Sequence, residues 1–272
     1  MAKEIKLLSE RKGSNPGGKC VIETWRNKFH CYIKYCPGSR LPRQSSLDAA
    51  HQPIYEAITN EIARRAGLHV PDSFVLLNQN KHVGFEKING FEQTLMGGRP
   101  YYFVSKLIPH LRSANSGLLS EVMDEEEIYR EFLSIFDVKS ADNYSFFDDS
   151  RELFYLDVGC NFVWAKEGYI SLRGNIRYPL NGKQLKDSFK RISRRGLRIA
   201  DGSVMPLDEV INSLQFMTVP VLTANGKFGF GEERIKNLLS EDEMEEIRRL
   251  LAIKMAGALR RYGDSDLLVR VR

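Results

Sequence analysis

Cysteine is scarce. The four in 272 residues, Cys20, Cys31, Cys36 and Cys160, form no Cys-x-x-Cys pair, and no histidine stands beside them at metal-ligand spacing. This argues against a disulfide framework and a thiolate zinc site, and leads to an expectation of reduced thiols in a cytoplasmic setting. No run of about 18 apolar residues occurs, so no membrane span is expected. The opening MAKEIKLLSERKG is charged and lacks the apolar segment of a secretory leader. Strong charge of one sign is also missing. A net +5 with 28% charged residues leaves room for an anionic ligand such as a nucleotide but does not favour nucleic acid. There is no internal repeat, no low-complexity tract and no Gly-Lys-Ser/Thr opening a helix, which excludes a Walker A loop.

What is present begins with a Gly-rich turn, KGSNPGGK, at Lys12–Lys19, followed by two alternating runs, Cys20–Thr24 and Phe29–Tyr35. This predicts a hairpin with an amide-rich loop at its head. Glycines there let backbone N–H groups approach phosphate oxygens without a Cβ in the way. Lys34 lies inside the second strand among aromatic and β-branched residues, where a lysine either points outward or needs a partner. Leu47–Ala66 has helical spacing, with Ile54, Ala57, Ile58, Ile62, Ala63 and Ala66 on one stripe and Gly67 at the C-cap position. Glu56 and Glu61 both flank that stripe, and either could reach back to Lys34. A strand is predicted at Ser73–Leu77.

The central stretch is Phe132–Phe162, FLSIFDVKSADNYSFFDDSRELFYLDVGCNF. Asp137, Asp142 and Asn143 precede an apolar segment, and the chain returns with Leu153–Leu156 ending in Asp157-Val158-Gly159. A strand ending in Asp-Val-Gly aims a carboxylate out of a sheet, and an amide and acid cluster one hairpin upstream can meet it. Mg²⁺ takes hard oxygen ligands, usually one or two carboxylates plus phosphate oxygens. Taken alone, the same residues also suit hairpin corners.

The ordered set (Gly-rich hairpin, strand lysine, helix glutamate, Gly-Leu-His-Val-Pro at 67–71, Tyr101–Pro109 and Tyr155–Gly159) resembles the HipA-like kinases, which are related at a distance to protein and phosphoinositide kinases. The resemblance spans Gly13 to Phe162. It implies an α+β, bilobed protein-kinase-like fold, with a small β-rich N-lobe over residues 1–104 and a mainly helical C-lobe over 105–272. It also implies ATP and Mg²⁺ as cofactors, and transfer of the γ-phosphoryl group to a hydroxyl, with protein serine or threonine as the favoured acceptor. By the same resemblance, Gly13, Ser14, Gly17 and Gly18 would cover the phosphates, and Ser105 and Leu107 would lie at the adenine hinge. Lys34 would bind phosphate oxygens and pair with Glu56, which precedes Gly67 by eleven residues, with Glu61 as runner-up. Asp157 would hold the metal with Asn143, and Asp137 would be the base.

One departure stands out. The family spaces its catalytic Asp and Asn five positions apart, whereas here Asp137 precedes Asn143 by six and Asp142 by five, and Val138 occupies the strict base position. Either the loop carries an extra residue, or Asp142 takes the metal role, or the base is lost. The alternatives are therefore a nucleotide-binding pseudokinase acting as an interaction module, and a small-molecule or lipid kinase. An unrelated α+β protein would place Lys34 and Asp157 far apart. Further along, Ser120–Phe136, Leu207–Met217 and Glu232–Arg261 read as helices, the last split by a capping box at Ser240–Glu243. Lys183–Arg198 reads as a basic, solvated face, and 263–272 as a polar tail.

Overall fold

The early strands build the sheet that carries the rest of the chain. The computed structural model describes residues 4–10, 17–23, 27–34, 47–77, 101–109, 111–112, 116–125, 143–147, 151–158, 192–199, 202–224, 228–262 and 268–271, with positions 183, 186, 187, 190 and 266. Strands β1 (Glu4–Glu10), β2 (Gly17–Glu23) and β3 (Lys28–Lys34) form an antiparallel meander. Helix α1 (Gln52–Arg65) follows, entered through a single 3-10 turn at Ala49–His51. It leads to β4 (Ser73–Leu77), and β5 (Tyr101–Lys106) inserts between β3 and β4.

A long-range addition completes this sheet. Strands β11 (Thr218–Ala224) and β12 (Phe228–Arg234) form a hairpin whose first strand runs parallel to β4, giving the order β1-β2-β3-β5-β4-β11-β12. Pro220 is tolerated because it falls just before the β4-paired stretch Val221–Thr223, where no ladder donor is needed from it. The outer strand β12 ends in Glu232, Glu233 and Arg234, charges that discourage edge-to-edge association.

Two smaller sheets complete the strands. The first holds β6 (Leu111–Arg112), β7 (Tyr144–Phe147) and β8 (Leu153–Tyr155). The second orders β10 (Val204–Pro206), β9 (Arg195–Arg198) and β13 (Leu268–Arg270). Among the described residues, further helices are α2 (Ser116–Glu125), α3 (Leu207–Asn212) and α4 (Glu241–Tyr262), and residues 183, 186, 187, 190 and 192 are helical as well. None of the described helices is long and apolar enough to cross a membrane.

The protein is thus mixed α and β, but the expected mainly helical second half is corrected. Beyond residue 110 the described chain carries eight strands, β6 to β13, alongside its helices. Residues 232–234 belong to β12, and the predicted tail supplies β13, which pairs with β9. Within the basic stretch 183–198, Lys183, Lys186 and Lys190 are helical, whereas Arg195–Arg198 is strand. The predicted helix at 207–217 stops at Asn212 and continues as a 3-10 turn, Leu214–Phe216. Where strands replace the expected helix or tail, cross-strand pairing overrides local periodicity: β12 pairs with β11, and β9 with β10 and with the distant β13.

One face of the large sheet buries Val75, Leu77, Phe103, Val219 and Val221 against Ile54, Ile58 and Ile62 of α1, in a core that continues into β8, α3 and α4. The opposite face buries Ile5, Cys20, Ile22, Cys31, Ile33, Phe74, Leu76, Tyr102, Val104 and Leu222. Cys20 and Cys31 sit directly opposite each other on β2 and β3. Both are free, and the Cys20 thiol is pushed up by its hydrogen bond to Cys31 and by burial.

Leu222 links the late hairpin to this second face. Leu222→Ala is expected to cost about 2–5 kcal/mol, as for other buried leucines, measured by urea unfolding. A loss well under 1 kcal/mol would mean that β11 is not an integral strand.

Candidate functional site

The alternation of β3 decides where Lys34 goes. Cys31 and Ile33 enter the second face, so Lys34 takes the α1 side, where its Nζ lies 5.1 Å from the centroid of the Phe103 ring. There it meets two carboxylates: Glu56 Oε2 at 2.5 Å and Asp157 Oδ1 at 2.6 Å. The Lys34, Glu56 and Asp157 side chains are 10%, 2% and 16% exposed, so the interaction is largely shielded from water and a pair here is strongly coupled. Glu61, the other candidate, instead holds Arg64 and Arg65 on the outer side of the helix.

Glu56 reaches this position because almost all of α1 is buried, polar residues included. Each buried polar group has a partner, as interiors require. Gln52 Nε2 donates to Glu56 Oε1 at 3.0 Å, Thr59 Oγ1 donates to the Tyr55 carbonyl at 3.0 Å, and Asn60 Nδ2 donates to the Pro71 carbonyl at 2.9 Å and to Ser73 Oγ. The helix ends where Gly67 adopts a φ of 85°. The Leu68 N–H bonds the Ala63 carbonyl and the Gly67 N–H that of Arg64, the pairing of a Schellman cap.

Asp157 arrives from a different direction. The β7–β8 hairpin sets Tyr144 opposite Tyr155, and the Leu156 and Asp157 N–H groups both donate to the Asn143 carbonyl, at 2.8 and 3.4 Å. Asn143 and Asp157 are therefore neighbours across the hairpin mouth. The Tyr155 N–H donates to the His69 carbonyl at 2.9 Å, which ties the hairpin to the segment leaving α1.

Gly17 stands opposite Lys34 on β2 and Gly18 opposite Ile33. A Cβ on Gly17 would lie 2.2 Å from the Ile33 carbonyl oxygen, so only glycine allows this approach. Ser105 is buried on β5 between Tyr32 and Ser73. The Leu107 N–H donates to the His30 carbonyl at 2.8 Å, so that donor serves the ladder. Gly13, Ser14, Asp137 and Asp142 lie outside the described residues.

At the centre of the cluster one ammonium faces two carboxylates. Burial pushes Glu56 above the usual carboxylate range, Lys34 opposes this, and the charge of Asp157 adds to it. Among the described residues no group of three His, Cys, Asp or Glu could hold a metal. One carboxylate beside an amide is nevertheless a donor set that suits Mg²⁺ when phosphate oxygens and water complete it. A separate concavity of about 230 Å³, lined by Arg65, Ile199, Val204, Pro206, Glu209 and Ser213, includes none of these residues.

A second polar cluster, read from the sequence only as a helix cap, adjoins the first turn of α1. Glu243 Oε2 accepts from the Ser240 N–H and hydroxyl, both at 2.9 Å, and the Ser240 hydroxyl accepts from the Glu243 N–H at 3.3 Å. Oε1 accepts from the Tyr55 hydroxyl at 2.6 Å and lies 2.6 Å from His51 Nδ1. Burial alone would raise the Glu243 carboxyl, but the bonds from His51, Tyr55 and Ser240 hold it down at about 2.

No family model matches the chain, and no curated protein and no solved structure is similar to it.

The close approach of β2 to β3 can be tested by mutation. Gly17→Ala should destabilise the fold by about 1–3 kcal/mol through overpacking against Ile33, seen as a lowered urea midpoint; an unchanged midpoint would contradict the close approach. The depressed Glu243 carboxyl contributes stability present above its ordinary value near 4.5 and lost as pH falls toward 2. The stability deficit of Glu243→Gln should therefore be full, up to about 3 kcal/mol, at pH 5–6 and shrink below pH 4. A deficit that is flat with pH would mean that the charge of Glu243 plays no part.

Proposed function

We propose that the protein is an ATP-dependent phosphotransferase that moves the γ-phosphoryl group to a hydroxyl, with protein serine or threonine as the favoured acceptor. The observation that carries this reading is the convergence on Lys34 of a helix glutamate and of an aspartate 123 residues away, with Gly17 beside the lysine and Asn143 beside the aspartate. Those are the residues that the resemblance to HipA-like kinases singles out, and an accidental mimic would have left Lys34 and Asp157 apart.

In this reading Glu56 orients the Lys34 ammonium for phosphate oxygens, and the glycine turn before β2 lets backbone N–H groups approach them. Asp157 and Asn143 would hold Mg²⁺, which supplies charge neutralisation on the phosphates when bound. Phosphoryl transfer asks little covalent chemistry of the protein, so positioning and electrostatics do most of the work. Asp137 is the proposed base, accepting the proton of the attacking hydroxyl, with Asp142 as the alternative metal ligand. The two lobes also belong to this proposal: residues 1–104 as the nucleotide-covering lobe, with β11 and β12 extending its sheet, and 105–272 as the lobe carrying the hairpin.

The test is transfer of label from γ-labelled ATP with Mg²⁺, by the protein alone and with a generic protein acceptor. Wild type should label, and Asp157→Ala, Lys34→Ala and Asp137→Ala should each lose at least about 100-fold. Melting is followed in parallel, because Lys34→Ala leaves Glu56 buried beside Asp157 without its counter-charge. Label that survives Asp137→Ala but not Asp157→Ala moves the base elsewhere. Tight ATP binding that depends on Lys34, without transfer, identifies the alternative, a nucleotide-binding pseudokinase acting as an interaction module. The absence of both binding and transfer sinks the kinase reading.

A further inference from the structure

Helix capping needs only one oxygen of Glu243. The Ser240–Glu243 box is complete with Oε2, yet Oε1 is spent on a different element. Through Tyr55 and His51 it grips the first turn of α1, which begins at Gln52. The grip is reinforced from the other side. The Asp48 N–H donates to the Tyr55 hydroxyl oxygen at 2.9 Å, and Asp48 Oδ1 accepts from the Ala50 N–H at 2.8 Å. Tyr55 is 2% exposed, and its hydroxyl is shared between α4 and the turn that enters α1.

Tyr55 and Glu56 are consecutive, so their side chains leave the helix about 100° apart. One is anchored to α4 and the other to Lys34. Two anchors at that angle fix both the rotation of α1 about its axis and its position along it. Loosening the Tyr55 anchor lets the helix turn, and Glu56 is then free to leave the lysine.

We propose that Glu243 is a positioning residue for the Lys34–Glu56 pair, acting through Tyr55 and His51 to set the rotation of α1, and that protonation of His51 tightens this hold. The groups facing His51 are Glu243 from α4, Asp48 from its own turn, and Tyr101 from β5, whose ring lies edge-on at 5.2 Å. Burial disfavours the imidazolium, while the two carboxylates favour it and prevail, so its proton affinity is raised. For a raised base, the added hold is complete below the ordinary imidazole value near 6.5 and is lost as pH rises through the shifted value. The positioning role rests on the bonds of this cluster alone; its consequence for nucleotide handling rests on the phosphotransferase reading.

Acetylation of Lys34 by an N-hydroxysuccinimide ester, read by peptide mass spectrometry against the exposed Lys236, reports the pair directly. A lysine held by two carboxylates reacts only when they release it. Tyr55→Phe, which keeps the ring but removes both the bond to Glu243 and the bond from the Asp48 N–H, should raise the Lys34 ratio at least about fivefold. Glu243→Gln should do at least as much. Ser240→Ala weakens the α4 cap but leaves Oε1 on α1, and should change the ratio less than about twofold. Between about pH 6 and 8.5 the wild-type ratio should climb as His51 loses its proton, and His51→Gln should flatten that climb.

The proposal is overturned if folded Tyr55→Phe labels like wild type, if Ser240→Ala raises labelling as much as Tyr55→Phe, or if the pH climb persists in His51→Gln. Should Glu243→Gln fail to fold, Tyr55→Phe decides. A parallel arm adds ATP and Mg²⁺. Protection of Lys34 supports the phosphotransferase reading, and its absence counts against that reading while leaving the positioning role of Glu243 untouched.

Discussion

A lysine ammonium sunk between two carboxylates is the constraint on which the rest of this structure depends. An unpaired charge in such a place would cost several kcal/mol, and removing one member of a buried pair is correspondingly destructive. The chain must therefore deliver all three groups together. It does so from three separate directions: β3 by its alternation, α1 by its rotation, and the β7–β8 hairpin by its register. Gly17 lets β2 approach β3 where Lys34 leaves the strand. Much of the architecture near this point follows from keeping those three approaches compatible.

Helix α1 is where the approaches are reconciled. An ordinary amphipathic helix buries a stripe and leaves polar residues in water. Here Gln52, Glu56, Thr59 and Asn60 are buried as well, and each is held by a specific partner. Apolar contacts alone would let the helix slide or turn at small cost, since volume-conserving repacking is well tolerated. Directional bonds to β4, to Lys34 and to Glu243 remove that freedom. The polar groups of α1 thus specify its placement more than they stabilise it.

Local signals in the sequence carry a good part of this. The β2–β3 hairpin, the α1 stripe with its glycine cap, the hairpin ending in Asp157 and the Ser240–Glu243 box are all written in short-range patterns, and each is present. The choice of Glu56 over Glu61 is open from periodicity, because both flank the stripe; only the sheet on one side and solvent on the other separate them. The late hairpin is not legible in the same way. Its strands flank an Asn-Gly at 225–226, a recognisable turn signal, but nothing local says that β11 will lie beside β4. The second oxygen of Glu243 is equally hidden, since its partners Tyr55 and His51 are 188 and 192 residues upstream. Non-local pairing is the common cause in both places.

Two carboxylates meet one ammonium in a poorly hydrated place, and burial together with Asp157 drives Glu56 toward its neutral form. A proton on Glu56 is one way to ease the repulsion between the two carboxylates. A divalent cation at Asp157 is another, and it would free the lysine to face an anion. On the phosphotransferase reading, a nucleoside triphosphate with Mg²⁺ would bring cation and anion at once, the metal to Asp157 and the phosphate oxygens to Lys34.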